Sequence, residues 1–239
     1  MRLLTGMPTY ILTSKADFSA PLALAPEDER HLVRVMRAAI GDELRVTNLQ
    51  GKVARVQITS VSPLTLKILE MTEAKKPVPI TVCLALIEQK HLEWALEKLV
   101  ELNVQGVRLV ACERSQYRSL SDAKWQRLGA VAREASKQCG RGWAIDIDLP
   151  VSFSVALKVP KPMRIFGALR SETSKSFLKV FPEKLVDQPL EIWIGPEGGF
   201  TPEEEQALLA SGAHAVTLGS TVLRAETAAV ALTAACSVF

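Results

Sequence analysis

Cysteine is scarce. Cys83, Cys112, Cys139 and Cys236 are the only four in 239 residues, and none makes a C-x-x-C pair. The three histidines, His31, His91 and His214, stand alone. A zinc site needs several nitrogen or sulfur ligands converging, and no local spacing here announces one. The cysteines are expected as buried free thiols of a reducing compartment. No apolar run reaches the ~18–20 residues that span a bilayer. The start of the chain has a lone Arg2, Pro8 and scattered threonines, which is not the pattern of a secretory signal. Glycine and proline, 13 of each, are too few for a collagen-like or low-complexity chain. A soluble, cytoplasmic protein is expected.

What is present suits a packed globular chain: 48% hydrophobic and 23% charged residues, enough to bury a core without disulfides or metals. The length allows one large or two modest domains. Net charge is only +3, but it is uneven. Met1–Lys76 holds 11 Lys/Arg against 8 Asp/Glu, while Pro77–Phe239 holds 18 of each. Inside that neutral part, Arg108–Arg141 carries 8 basic residues against 3 acidic. Two basic zones on a balanced protein are the footprint of a surface that tracks a phosphate backbone. Solvated charge on any soluble domain gives the same count.

Arg45–Thr47, Val53–Thr59 and Leu64–Glu70 alternate or are β-branched, with Gly41-Asp42, Gly51 and Ser62-Pro63 between them, which predicts short strands and turns. A helix is predicted over Glu27–Ala39, opened by Pro26 and three acids. Arg30, Arg34 and Arg37 would then share one face. Together these describe a small β-barrel with a basic helix over residues 1–76. Lys75-Lys76-Pro77-Val78-Pro79 breaks the pattern and marks a domain boundary. In 77–239, apolar strands at Ile80–Leu86, Val107–Ala111, Met163–Ala168, Leu190–Ile194 and Ala215–Leu218 alternate with helices. The helices are placed around Leu92–Leu99, at Asp122–Gln138 and Pro202–Ser211, and from Glu226 onward. That alternation predicts a parallel sheet covered on both faces; from pattern alone it is an open, doubly wound sheet.

Two strand ends carry the chemistry. In Ile192-Trp193-Ile194-Gly195-Pro196-Glu197-Gly198-Gly199-Phe200-Thr201-Pro202-Glu203-Glu204-Glu205, a buried strand meets a glycine loop and then a well-specified helix start. Thr201 is the N-cap, Pro202 the first helical residue, and Glu204 closes the capping box. Ligands of parallel sheets bind at such carboxyl ends. A phosphate cradle is excluded, because this helix start faces four glutamates and no lysine follows. A ligand without phosphate, and with positive charge, fits better; the alternative is a turn whose glycines merely permit positive φ. The second strand end, Leu218-Gly219-Ser220-Thr221-Val222-Leu223-Arg224-Ala225-Glu226-Thr227-Ala228, places Arg224 and Glu226 at the mouth of a helix. Those two could equally be a structural ion pair. From Ala228 to Cys236 only Thr233 is polar. A helix apolar on every side needs a deep core or a partner subunit, which points to a homodimer built through it.

The IGPEGGF-T-x-x-E stretch followed by LG-x-x-x-LR-x-ETA resembles the RsmE family of 16S ribosomal RNA uridine-N3 methyltransferases, of the knotted SPOUT class. The resemblance continues through Lys90…Glu97-Lys98…Glu101-Leu102-Asn103-Val104, Glu113-Arg114-Ser115 and Glu134-Ala135-Ser136-Lys137-Gln138-Cys139-Gly140-Arg141. His31-Leu32…Val35-Met36-Arg37 with Gly41-Asp42 looks like the amino-terminal RNA-binding part. The chain departs from the family pattern at Thr9 and Thr221, where arginine is usual, and at Asn103, where glycine is usual.

The resemblance implies a SPOUT trefoil-knot α/β domain (77–239) behind a small PUA-like or OB-like β-barrel (1–76). It implies an S-adenosyl-L-methionine site walled by Leu169, by Gly195, Pro196 and Gly199, and by Leu218, Gly219, Val222 and Leu223, with no metal. Arg224 would stabilise the anion that develops on uracil, and Glu197 or Glu226 would accept the N3 proton. The small ribosomal subunit and its 16S RNA would be the partner, met by Arg34, Arg37, Arg114, Arg133 and Arg141. The implied homodimer pairs subunits across the knot. A ribose 2′-O-methyltransferase of the same fold class and a non-catalytic assembly factor are the competing expectations.

Overall fold

The alternating runs of the first 76 residues pair into a sheet around Tyr10, Leu32, Val46, Val56 and Ile58. The structure, a computed structural model, describes residues 8–13, 18, 21–160, 163–168, 175–176, 189–218 and 220–238. It divides into two compact units, Met1–Lys76 with Arg133–Ala144, and Pro77–Ala132 with Ile145–Phe239.

Among the described residues, the first unit holds a four-stranded sheet in the order β1 (Thr9–Ile11), β2 (Glu43–Thr47), β3 (Lys52–Val61), β4 (Leu64–Glu73). β1 runs parallel to β2, with Tyr10 opposite Val46; the other pairs are antiparallel. The β2–β3 turn is held by Asn48, whose Oδ1 accepts from the N–H of Gln50 at 2.8 Å and of Lys52 at 3.2 Å. The sequence pattern does not predict β1, since three residues are too few for alternation to show.

The expected helix over Glu27–Ala39 ends early. α1 (Pro26–Arg30) runs into a π-helical turn, His31–Val35, closed by the Met36 N–H on His31 O at 3.0 Å. Arg37 then takes φ +51°. Leu32 and Ala38 are both buried in the core, yet residues six apart on a helix lie about 120° from a shared face. The chain leaves the helix and buries both, with the Ala38 N–H on Leu32 O at 3.2 Å. Arg34 and Arg37 are exposed, but they do not share the helical face expected of them.

Arg133–Ala144, expected in the second domain, belongs to the first unit. The Gly51 N–H donates to Gly142 O and the Ala144 N–H to Leu49 O, each at 2.9 Å. A Cβ at Gly51 would strike the Trp143 ring. Arg141 is 5% exposed and donates to Trp143 O at 2.6 Å and Ala144 O at 3.4 Å. It is a structural residue of this turn rather than the surface RNA contact expected. A guanidinium with five N–H donors suits the task of satisfying carbonyls where a chain leaves regular structure.

The second unit, among the described residues, is built on a seven-stranded parallel sheet. Its order is β7 (Asp146–Ser152), β6 (Val104–Ala111), β5 (Val78–Ala85), β10 (Leu190–Ile194), β8 (Met163–Gly167), β11 (His214–Thr217), β9 (Lys175–Ser176). α2 (Gln89–Glu101) and α6 (Ala225–Val238) pack on each other, and α6 lies over β5 and β10. Phe153 of α4 (Phe153–Leu157), Phe166, Trp193 and Phe200 meet edge to face at 5.4–6.2 Å and share a core with Leu208 of α5 (Pro202–Ala210). α3 spans Asp122–Cys139. β7 and α4 lie outside the predicted elements: Asp146, Asp148 and Pro150 interrupt the apolar pattern, and β7 is an edge strand, where proline is tolerated.

β10 follows β8 in the chain but lies between β5 and β8, so the order departs from a simple winding. Among the described residues, no helix is long and apolar enough to cross a membrane. α6 is not buried all round. Ala225, Glu226, Ala229, Leu232, Thr233 and Cys236 are buried, while Val230, Ala231, Ala234 and Ala235 are only half-buried.

Candidate active-site pocket

Both glycine-bearing strand ends come together at the carboxyl edge of the sheet. β10 ends at Ile194, and the chain folds back on itself through a turn closed by the Gly199 N–H on Pro196 O at 2.8 Å. Gly199 takes φ +69°, which favours glycine. A Cβ at Gly195 would sit 3.1 Å from the Phe200 nitrogen and 3.3 Å from the Gly199 carbonyl carbon, so a side chain there would make the folded-back backbone give by a few tenths of an ångström. The loop then enters α5 through the expected capping box: Thr201 Oγ1 accepts from the Glu204 N–H at 3.2 Å, and Glu204 Oε2 accepts from the Thr201 N–H at 3.0 Å.

Beside this loop lies a cavity of about 550 Å³, the size of a site for a drug-sized ligand. Gly195, Pro196, Glu197 and Gly199 line it from the loop after β10. Leu218, Val222 and Leu223 line it from the segment after β11, with Arg224 and Glu226 at the start of α6. The expected cofactor and catalytic residues are thus brought together, except Leu169 and Gly219, which lie outside the described residues. The ends of β8 and β11 are tied by the Ala168 N–H on Val216 O at 3.0 Å, and Gly167 and Ala168 complete that wall.

Among the described residues, the ionisable side chains that line the cavity are Glu197, Glu226, Arg224 and His91. Glu226 is 8% exposed. Arg224 and Glu226 both line the cavity, and among the described residues no ion pair joins them. His91 lies outside the expected site residues. The only signal for it is position, since it follows the carboxyl end of an apolar strand, where ligands of parallel sheets bind. Thr221, one of the departures from the family pattern, also lines the cavity.

Of the five arginines expected to meet RNA, Arg34, Arg37 and Arg133 are exposed in the first unit, and Arg141 is buried. Arg114 is exposed but engaged: its Nη1 donates to Gly198 O at 2.9 Å and Phe200 O at 3.1 Å. Among the described residues no cluster of three or more His, Cys, Asp or Glu side chains forms a metal site.

A family model described as an RNA methyltransferase domain matches residues 74–237, and one described as an RNA methyltransferase PUA domain matches residues 24–70. The chain belongs to the RNA methyltransferase family. The ribosomal RNA small subunit methyltransferase E of Rickettsia conorii is 28% identical over 225 residues, covering 92% of this chain and 90% of that protein. The probable rRNA-methyltransferase of Porphyromonas gingivalis superposes with a TM-score of 0.83 at 27% identity, covering 95% of this chain and 96% of that one. The ribosomal RNA small subunit methyltransferase E of Neisseria gonorrhoeae, solved bound to S-adenosyl methionine, shares the fold, with a TM-score of 0.83 at 24% identity and 96% of each chain covered. This RNA methyltransferase therefore has the α/β fold of the SPOUT class, with a PUA domain preceding it.

Proposed function

We propose that this RNA methyltransferase transfers a methyl group from S-adenosyl-L-methionine to N3 of a uridine in 16S ribosomal RNA of the small subunit, in the cytoplasm, and works as a homodimer. The observation that carries the reading is the cavity in which the two motif loops, Arg224 and Glu226 meet. Its relative in Rickettsia conorii is named for small-subunit ribosomal RNA, and that in Neisseria gonorrhoeae was solved with the cofactor.

The residues present fit that cofactor. The lining is largely apolar, the loop backbone at Gly195 and Gly199 comes close to the cavity, and Glu197 and Glu226 suit a cationic ligand. When bound, S-adenosylmethionine supplies a methyl group activated by a sulfonium. Gly195, Pro196, Gly199, Leu218, Val222 and Leu223 would hold it, with Leu169 and Gly219 beside them. Arg224, permanently charged, would stabilise negative charge on the uracil as N3 loses its proton. Glu226 or Glu197 would accept that proton. Position rather than metal chemistry would supply the rate. Arg34, Arg37 and Arg133 would contact RNA phosphates.

Calorimetric titration with S-adenosylmethionine in excess EDTA tests the cofactor assignment. Binding that persists in chelator, with none for NAD, supports it; binding that disappears with the chelator contradicts it. Charge reversal at Arg34 and Arg37 tests the RNA surface. Every arginine that no longer neutralises a phosphate lowers the salt slope by about 0.7–0.9, and an unchanged slope removes this surface from the reading.

A further inference from the structure

We infer that Arg114 is a positioning residue for the cofactor loop, not a contact to RNA. The inference rests on the cavity being the cofactor site. Arg114 belongs to the loop between β6 and α3, and both its carbonyl partners, Gly198 and Phe200, belong to the loop that follows β10. Four residues of that second loop line the cavity. The arginine stem lies along it too: a Cβ at Gly198 would sit 3.5 Å from Arg114 Cβ and Cδ.

A second tie runs beside the first. The Glu113 N–H donates to Glu204 Oε1 at 2.8 Å, while Oε2 of the same carboxylate holds the Thr201 N–H. Glu204 is 8% exposed, so one buried carboxylate serves the α5 cap and the neighbouring loop together. The buttress is itself braced. Ser115 Oγ accepts from the Cys112 N–H at 3.2 Å, and Arg118 donates to Cys112 O at 2.7 Å and Glu113 O at 2.8 Å.

The chemistry favours this role. A turn as tight as Pro196–Gly199 leaves outward carbonyls that its own N–H groups do not reach, and one terminal guanidinium nitrogen carries two hydrogens to offer them. Hydrogen bonds from a charged donor are about twice as strong as neutral ones. Removing them leaves the loop to be ordered only when the cofactor binds, and that ordering is taken out of the binding free energy.

The test compares Arg114→Met and Arg114→Lys with the wild-type protein in three measurements: cofactor affinity by calorimetry, steady-state kinetics, and the salt slope of binding to a 16S ribosomal RNA fragment. Arg114→Met is expected to weaken S-adenosylmethionine binding about tenfold, about 1.4 kcal/mol of affinity. KM for the cofactor rises with it, kcat at saturation stays within about twofold, and the salt slope does not change. Arg114→Lys restores part of the affinity. A cofactor affinity within about twofold of wild type overturns the inference, as does a salt slope lowered by about 0.7–0.9. A wild-type protein that binds no cofactor defeats the parent reading instead. Should Arg114→Met fail to fold, hydrogen exchange on wild type decides. Cofactor must slow exchange at the Glu113 amide together with the 196–201 loop, and protection confined to the loop refutes the tie.

Discussion

Arg164 Nε donates to Glu191 Oε2 at 2.8 Å in the interior of the second unit, where Glu191 is fully buried. Arg108 Nη1 meets the other carboxylate oxygen at 2.8 Å, and Arg108 Nε meets Asp148 at 3.0 Å. A row of charges therefore crosses β7, β6, β10 and β8, with Cys83 of β5 under Arg108. Such pairs add little over apolar packing while intact, but removing one partner strands the others. Glu191→Leu should destabilise the second unit by about 3–5 kcal/mol. Urea unfolding followed by tryptophan emission reads it, since the Trp193 Nε1–H also donates to Glu191. A destabilisation under about 1 kcal/mol contradicts this account.

Lys137 of α3 donates to Asp28 Oδ1 at 3.0 Å within the first unit. Burial works against the charge on Lys137, and hydrogen bonds to Glu134 and Asp28 outweigh it, leaving its pKa above the ordinary lysine value. Lys137→Met should cost about 2–3 kcal/mol, less than for a sealed pair because the lysine side chain is 21% exposed. The lysine's folded pKa is raised, so the stabilisation is complete below the unfolded lysine pKa of about 10.4 and is lost as pH rises through the folded one. Denaturation at pH 8 and pH 11 should show the wild-type advantage over Lys137→Met shrinking at the higher pH.

Thiol chemistry should separate Cys139 from the rest. Burial pushes the Cys83, Cys112 and Cys236 thiols up, Cys236 to about 12, and the thiolate is the reactive form. Cys139 is exposed. At pH 8 a disulfide reagent should modify one thiol quickly and the other three only on unfolding. Rapid reaction of two or more in the native protein would contradict the packing described.

The proposed dimer can be tested on the face of α6 that the fold leaves half-covered. Ala229 is fully buried in its own chain, so Ala229→Arg should unfold the second unit and says nothing about a partner. Ala231 is half-buried. Ala231→Arg should leave a folded protein of monomer mass in sedimentation, with activity reduced because Arg224 and Glu226 start the same helix. A wild-type particle of monomer mass with full activity would exclude the dimer.

The long apolar strands and their helices are legible in the sequence because periodicity survives wherever one face is buried. The capping box at Thr201 is legible because its residues are local. The Glu27–Ala39 helix is not, because Ala38 is drawn into the core by tertiary packing that no helical period records. Arg141 and Arg114 count as basic charge in a linear tally, yet each satisfies backbone carbonyls of a turn. Composition reports charge but not its hydrogen-bond partners. His91 stands alone in the sequence and enters the cavity only through strand order. The mixed order that sets β10 between β5 and β8 cannot be read from pattern, which is equally consistent with an open winding.

The most direct test of the proposed reaction is nucleoside mass spectrometry of 16S ribosomal RNA from a strain lacking this protein. The account predicts that 3-methyluridine disappears, returns with the wild-type chain, and does not return with Arg224→Ala. Unchanged 3-methyluridine, or the loss of a ribose methyl in its place, would contradict it.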